Sequence, residues 1–293
     1  MKLSGIKGDH RVERDGEFSS IGEMPRWRNG ALLPVTSPIH IEKLAKGNFS
    51  GCVITARDLL PKIPAGLGVI VSEHPVEELY GIHNDLARGF AFYGSPSVNE
   101  IDQSAFIHPT AVIAGRGVKI GKGCIIGAKA TILEDSTLEK NVVIGPGTVI
   151  GSEETLLLRR GSVSEKVLSV GGVIIENDVD IHSNCIVSRA IFEGNTVIGA
   201  GTKFDNLIGI GQNAKIGDRC FLAACASIGA NVEMGNEVWI GPNSTVSEGV
   251  TLGDKAYVTI GAVVVEDVGP DQKVTGNYAI DHAKFIEFLK KIR

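Results

Sequence analysis

The sequence is short of aromatic residues, which make up 5% of it, and lacks any excess of positive charge: 29 Lys and Arg face 34 Asp and Glu, for a net charge of -5. No basic stripe with interleaved aromatics occurs, which excludes a broad electrostatic footprint for nucleic acid. A long hydrophobic run is missing as well. The opening MKLSGIKGDHRVERDGEFSS has neither the apolar core of a signal peptide nor the length of a membrane span, so a cytoplasmic chain without an integral membrane segment is expected. Cysteine is scarce and odd in number: Cys52, Cys124, Cys185, Cys220 and Cys225 are scattered, and no disulfide framework is predicted. With 293 residues the chain has the length for one large domain or two ordinary ones and needs no such staple.

Glycine is the residue in excess, with 37 in 293 residues, roughly 13% against about 7% in an average protein. Its placement is periodic. In steps of six from Ile198, the sequence reads Phe204, Ile210, Ile216, Leu222, Ile228, Met234, Ile240, Val246, Leu252, Val258 and Val264 without a polar interruption. Given a 43% hydrophobic content, twelve such hits have a chance probability of roughly one in 25,000. A second run covers Ile120, Ile126, Ile132, Leu138, Ile144 and Ile150, and a third Ile175, Ile181 and Val187. Glycine often follows the bulky residue. Four places after it the side chain is small, as at Cys124, Ala130, Thr148, Cys185, Thr202, Cys220 and Ala256.

Period six fits neither an amphipathic helix nor a free hairpin, but it fits a parallel β-helix with flat faces joined by tight turns. Three hexads make one triangular coil, so the three runs predict seven coils. Two interruptions break them: SEETLLLRRGSVSEKVLSVGG (Ser152 to Gly172), and an eleven-residue step from Val187 to Ile198. Such insertions are expected as loops on one face. Ahead of the prism, GCVITA and LGVIVSE read as buried strands, and HPVEELYGIHNDLA as a helix with Val76, Leu79, Leu86 and Ala87 inward. After it, NYAIDHAKFIEFLKKIR reads as a helix with Ile280, Phe285, Phe288, Leu289 and Ile292 on one side. The fold class is therefore mainly β, a parallel β-helix with a small N-terminal α/β domain and a C-terminal helix.

The α/β domain, then IHPTAVIAG, a hexapeptide prism broken by one long insertion, the stretch FDNLIGIGQNAKIGD and a C-terminal helix together resemble the UDP-3-O-acylglucosamine N-acyltransferases of lipid A biosynthesis, from about residue 35 onward. The resemblance implies a left-handed coil and a homotrimer. It also implies transfer of an acyl group from acyl carrier protein, or from CoA, to the amine of a nucleotide-linked amino sugar in clefts between neighbouring prisms, with no metal and no further cofactor. On that reading residues 1–105 are a nucleotide-sugar domain, 106–268 the acyltransferase β-helix with a loop insertion at 152–172, and 269–293 a helical extension.

The family segment reads like DN…QIxHN, with its histidine as general base and the preceding aspartate orienting it. Here Asp205 and Asn206 match, but Gln212 stands at the histidine position. A glutamine amide has no usable basicity, although its NH2 donates to a carbonyl or a developing oxyanion. The nucleotide pocket of the family, an NPKY-like turn, corresponds to TARDLL, which places Ala56 and Leu59 at its substrate-binding positions. The acyl-donor groove is expected beside Gly229 and Ala230. Either a neighbouring subunit packs on the last helix, or Lys284, Lys290, Lys291 and Arg293 meet an acidic carrier protein.

With the family base replaced, the repeat itself suggests another. If Ile198 stacks over Ile175, Phe204 lies over Ile181 and Asp205 over His182, both turned outward on adjacent strands about 4.8 Å apart. His182 is then a candidate base, Asp205 its orienting group and Gln212 the ligand of the carbonyl or sugar; the bland alternative is an ordinary exposed histidine. GRGVKIGKG lacks the spacing of a phosphate loop. Cys185 and Cys220 fall in the small inward place of the hexad, so no metal site is expected. Two alternatives stay open: O-acyl or N-acetyl transfer on the same scaffold, and a prism without catalysis that serves as a binding or regulatory subunit.

Overall fold

Side chains alternate between the two faces of a strand, so a strand apolar at every position is covered on both sides. Three segments have that character: β3 (Ala31–Val35), β4 (Gly51–Thr55) and β5 (Gly68–Val71). In the computed structural model, which describes all residues except 9, 25, 26, 90, 91, 95, 161, 162, 277–280 and 293, they form the centre of a sheet. The order is β2-β3-β4-β5-β1, with β2 (Ser20–Ile21) parallel and β1 (Val12–Arg14) antiparallel to its neighbour. Leu33, Val53 and Val69 share a core with Ile41 and Leu44 of α1 (Pro38–Lys46), while Leu32, Ile54 and Ile70 share another with Leu79 and Ile82 of α2 (Pro75–Arg88).

This compact unit is assembled from three stretches of chain, Met1–Pro96, Glu153–Gly171 and Ala190–Gly194. The excursion expected as a loop is a hairpin, Leu157–Arg160 paired antiparallel with Val163–Lys166. Its Leu158, together with Val167, Ile191 and Phe192, is buried in the α2 core. The apolar part of the excursion thus finds an apolar partner, which a surface loop would have denied it.

The hairpin also alters the inward face of α2. Leu79 is buried as expected, but Val76, Leu86 and Ala87 are half-buried, and Ile82, His83 and Asn84 take the deepest places. Two of those are polar because the segment beyond the hairpin brings backbone groups that need partners. Asn84 Nδ2 donates to the Lys166 carbonyl at 2.9 Å and its Oδ1 accepts from the Leu168 N–H at 2.9 Å. The Leu168 carbonyl can only accept, so His83 Nε2 carries a proton and donates to it at 2.7 Å, leaving Nδ1 to accept from the Tyr93 hydroxyl at 2.7 Å. Burial pushes the His83 pKa down to about 4, against the opposing pull of the Leu168 bond.

The second unit comprises Ser97–Ser152, Gly172–Arg189 and Asn195–Arg293. It is a prism of three parallel sheets, the first face with nine strands and the second and third with eight each. The strands stack every 18 residues, as Lys203, Phe221, Trp239 and Tyr257 do, which is three hexads per coil. All the inward residues expected from the period are buried, and so are the small residues in the second place. The hydroxyls and thiols among the latter serve the backbone: Thr202 Oγ1 donates to the Gly217 carbonyl at 2.8 Å and Cys220 Sγ to the Gly235 carbonyl at 3.2 Å. One coil was missed by counting. Ile101, Ile107 and Ile113 lie on strands of the three faces, but Ile113 to Ile120 takes seven residues and shifts the phase; at the far end Lys273–Val274 adds another strand. No helix among the described residues is long and apolar enough to cross a membrane.

Two predictions follow from packing and burial. Ile216→Ala leaves a hole between Ile198 and Met234 and should lower the unfolding free energy by about 2–5 kcal/mol, read from urea denaturation; an unchanged midpoint would contradict the stacked core. An unfolded histidine takes up its proton near 6.5 and buried His83 only near 4, so between those values the unfolded chain binds more protons. The contribution of His83 to stability is complete above that window and declines as pH falls through it, by up to ~3 kcal/mol. Melts at a series of pH values should show that decline in the wild type and a flatter profile in His83→Gln.

Candidate active site

Chemistry-bearing residues of the prism collect at two of its corners. The first corner joins the first face to the second, and His182 and Asp205 lie there in successive coils. Ile181 pairs with Phe204 as the repeat predicts, and the His182 N–H donates to the Phe204 carbonyl at 3.2 Å. The corner is fastened from inside by the small inward residues. Thr148 Oγ1 donates to the His182 carbonyl at 2.6 Å, and Cys185 Sγ to the Asp205 carbonyl at 3.1 Å. Gly145 permits the approach of the next coil, since a Cβ there would stand 2.6 Å from the His182 carbonyl carbon.

The backbones stack as expected, yet the two side chains part. Asp205 Oδ1 accepts from the N–H and the Nδ2 of Asn206, both at 2.8 Å, and Asn206 Oδ1 accepts from the Ser183 N–H at 3.1 Å. The nearest carboxylate to the exposed His182 ring is Asp180 of its own strand, with Nε2 and Oδ2 3.9 Å apart. Among the described residues no hydrogen bond joins His182 to Asp205. The local turn offers the Asp205 carboxylate donors one residue away, and these take precedence over a side chain one coil below.

The second corner joins the second face to the third. Gln212 sits here with 8% of its surface exposed, and its Oε1 is buried without a hydrogen-bond partner among the described residues. A buried amide oxygen left unpaired costs about 1–3 kcal/mol. As it stands it accepts; turned by 180° it presents NH2 as a donor. Gly211, Gly229 and Ala230 pack closely here, for a Cβ on Gly211 would meet the Ala230 nitrogen at 2.5 Å. The structure therefore brings Gln212 beside Gly229 and Ala230. Asn213 and Asn231, both in the left-handed conformation, are joined by a 3.2 Å bond from Nδ2 to Oδ1.

The place of Arg189 at this corner was not singled out in the sequence. Val187 pairs with Ile210, so Arg189 holds, one coil earlier, the place that Gln212 holds. It is buried, and its guanidinium donates to Asp135 Oδ2 at 2.6 Å. That partner lies 54 residues away, and no local pattern announces it. Both insertions, Glu153–Gly171 and Ala190–Gly194, leave the prism at this same corner in the two coils before Gln212.

The remaining candidates fall elsewhere. Ala56 is half-buried in the turn after β4, while Leu59 is in the core with Ile63 and Val53, its side chain turned from the surface. On α3 (His282–Ile292), Lys284, Lys290 and Lys291 are exposed, and Phe288 is 54% exposed. Ile280 and Arg293, and the side chains of Phe285 and Ile292, lie outside the described residues. Among the described residues no group of three His, Cys, Asp or Glu is placed to hold a metal. Cys124, Cys185 and Cys220 are free and buried; burial raises the pKa of each thiol, that of Cys220 to about 11.

A family model for the bacterial transferase hexapeptide (six repeats) matches residues 117–152, and one for the hexapeptide repeat of succinyl-transferase matches residues 231–265. The chain is 27% identical over 256 residues to UDP-3-O-acylglucosamine N-acyltransferase 2 of Nitrobacter winogradskyi, covering 76% of this chain and 73% of the relative. It is 30% identical over 233 residues to the UDP-3-O-acylglucosamine N-acyltransferase of Rhodopseudomonas palustris, covering 66% and 64%. A 34% match over 107 residues to the enzyme of that name from Pseudomonas fluorescens covers 36% of this chain and spans 30% of the relative's length. Among solved structures, the UDP-N-acetylglucosamine acyltransferase of Francisella novicida aligns with a TM-score of 0.50 at 19% identity, over 66% of this chain and 72% of that one. That likeness concerns the fold alone, a left-handed parallel β-helix. With its 18-residue stacking register and repeat matches at both ends of the prism, the chain is similar to the hexapeptide-repeat acyltransferases.

Proposed function

We propose that this protein transfers an acyl group from a thioester, carried by acyl carrier protein or CoA, to the amine of a nucleotide-linked amino sugar, and that it works as a homotrimer in the cytoplasm. The observation that carries the reading is Gln212: a buried amide with an unpartnered oxygen, beside Gly229 and Ala230, in the segment that also holds Asp205 and Asn206. The names of the relatives above support the same acceptor and the same bond.

The reaction needs an unprotonated amine, a path for its proton and stabilisation of the tetrahedral oxygen. The amine nitrogen attacks the thioester carbonyl carbon, forming C–N while the carbonyl electrons move onto oxygen. Gln212, amide turned as a donor, hydrogen-bonds that oxygen. His182 takes the proton released by nitrogen. On collapse the C–S bond breaks, the thiolate leaves, and the proton passes to it, so that one amide and one thiol replace one thioester and one amine. Asn206 shapes the first corner through its bonds to Ser183 and Asp205. The N-terminal unit, with Ala56 at its surface, would receive the nucleotide, and Lys284 and Lys290 an acidic carrier.

The replacement of the family base by Gln212, with Asp205 turned to Asn206, favours a second reading, a prism that binds without transferring. Product mass decides between the two. Purified protein incubated with acyl-CoAs or acyl carrier proteins and UDP- or dTDP-amino sugars should yield an acylated sugar; binding without a mass shift would select the second reading. His182→Asn should lower kcat by about 10²- to 10⁴-fold with an unchanged melting temperature, and Gln212→Ala by about 10²- to 10³-fold with a melting temperature that does not fall. Full activity in His182→Asn would remove His182 from the mechanism.

A further inference from the structure

At the second corner each place is stacked coil upon coil. The Asn231 N–H donates to the Gln212 carbonyl and the Gly249 N–H to the Ala230 carbonyl, both at 2.9 Å, so Gln212, Ala230 and Glu248 stand one above another. The approach is close: a Cβ on Gly229 would meet the Glu248 nitrogen at 2.6 Å. Gln212 is 8% exposed, Ala230 half-buried and Glu248 exposed. Beyond its Cβ, Ala230 puts no side chain between the amide below it and the carboxylate above it.

The carboxylate is drawn down toward that space. Asn213 Nδ2 donates to Asn231 Oδ1 at 3.2 Å, which turns the Asn231 oxygen to the lower coil and leaves its Nδ2 to donate to Glu248 Oε1 at 3.3 Å. Asn231 belongs to the coil of Ala230, so the bond brings the Glu248 carboxylate between its own level and that of Gln212. Among the described residues no Lys, Arg or His forms an ion pair with Glu248. An anionic acceptor without a cation is complemented by a group that brings N–H donors and positive charge. An amine, largely an ammonium near neutral pH, is such a group.

We infer that Glu248 recruits and holds the acceptor amine, and so makes the site select an amino sugar over its hydroxyl counterpart. The inference rests on the acyl transfer proposed above and names the residue that determines its acceptor. A thioester oxygen about 3 Å from the Gln212 amide puts the attacking nitrogen, two bonds further on, about 5 Å from that amide. One coil of the prism is about 4.8 Å high, so the carboxylate is within hydrogen-bond reach of the nitrogen. Of the three hydrogens of the bound ammonium, one is lost before attack, one is released as C–N forms and C–S breaks, and one stays on the amide product, hydrogen-bonded to Glu248. A hydroxyl brings neither the charge nor a hydrogen that survives transfer.

Isothermal titration calorimetry compares UDP-glucosamine with UDP-glucose, and the dTDP forms of both. The wild type should bind an amino form about 10-fold more tightly than its hydroxyl form, and salt should narrow the difference. Glu248→Gln keeps an acceptor for Asn231 and removes the charge. It should bring the two affinities together, with that of the hydroxyl form and the melting temperature unchanged. Where acylated product forms, the KM for the amino sugar should rise about 10-fold in Glu248→Gln while that for the acyl donor holds, and Glu248→Asp should recover part of the loss. Equal affinities in the wild type, an undiminished preference in Glu248→Gln, or binding of none of the four sugars overturns the inference. Transfer with the same kcat and KM in the wild type and Glu248→Gln also overturns it and leaves acyl transfer standing. A preference lost in Glu248→Gln without any acylated product supports Glu248 as the amine ligand and removes the transfer.

Discussion

One bulky inward side chain per six residues, resting on its counterpart 18 residues earlier, is the constraint from which the prism follows. Each such contact is local in space and repeated in sequence, so stability accumulates coil by coil as in other solenoids. The corner geometry is subordinate to it. A small residue must fill the second inward place, and where it carries a hydroxyl or thiol, as at Thr148, Cys185 and Thr202, it ties the carbonyl of the next coil's turn. Those same ties hold the backbone of His182 and Asp205, so the stacking that builds the core also sets the candidate site.

The insertions obey the same logic by leaving the prism without disturbing it. Inward stacking resumes in phase at Ile175 over Leu138 and at Ile198 over Ile175. The apolar hairpin is resolved within the N-terminal unit, where α2 accepts it through Leu79 and Ile82 and answers its backbone through His83 and Asn84. A neutral, deeply buried histidine is the chemical consequence: it can satisfy a carbonyl and a phenol together, and it makes that unit sensitive to acid.

At the corners the balance is different. Gln212 is kept buried with an oxygen unpaired, a cost that the prism core does nothing to offset. Arg189, one coil below, has its charge matched by Asp135 at 2.6 Å.

The sequence by itself determined the prism: its period, inward residues and the small residues of the second place could all be read before any coordinates, because each depends on neighbours at a constant spacing. One phase shift, at Ile113 to Ile120, hid the first coil. His182, Asp205 and Gln212 could be named as candidates, and the stacking of the backbones of His182 and Asp205 could be anticipated. Only the tertiary structure decided the rest. Asp205 bonds Asn206 because a turn places those donors one residue away. Asp135 meets Arg189 across 54 residues, and the hairpin joins α2 rather than solvent, since such pairings depend on distant segments with no shared period. Whether His182 and Gln212 sit together is likewise a matter of which corner each occupies, and the corners are a property of the folded coil.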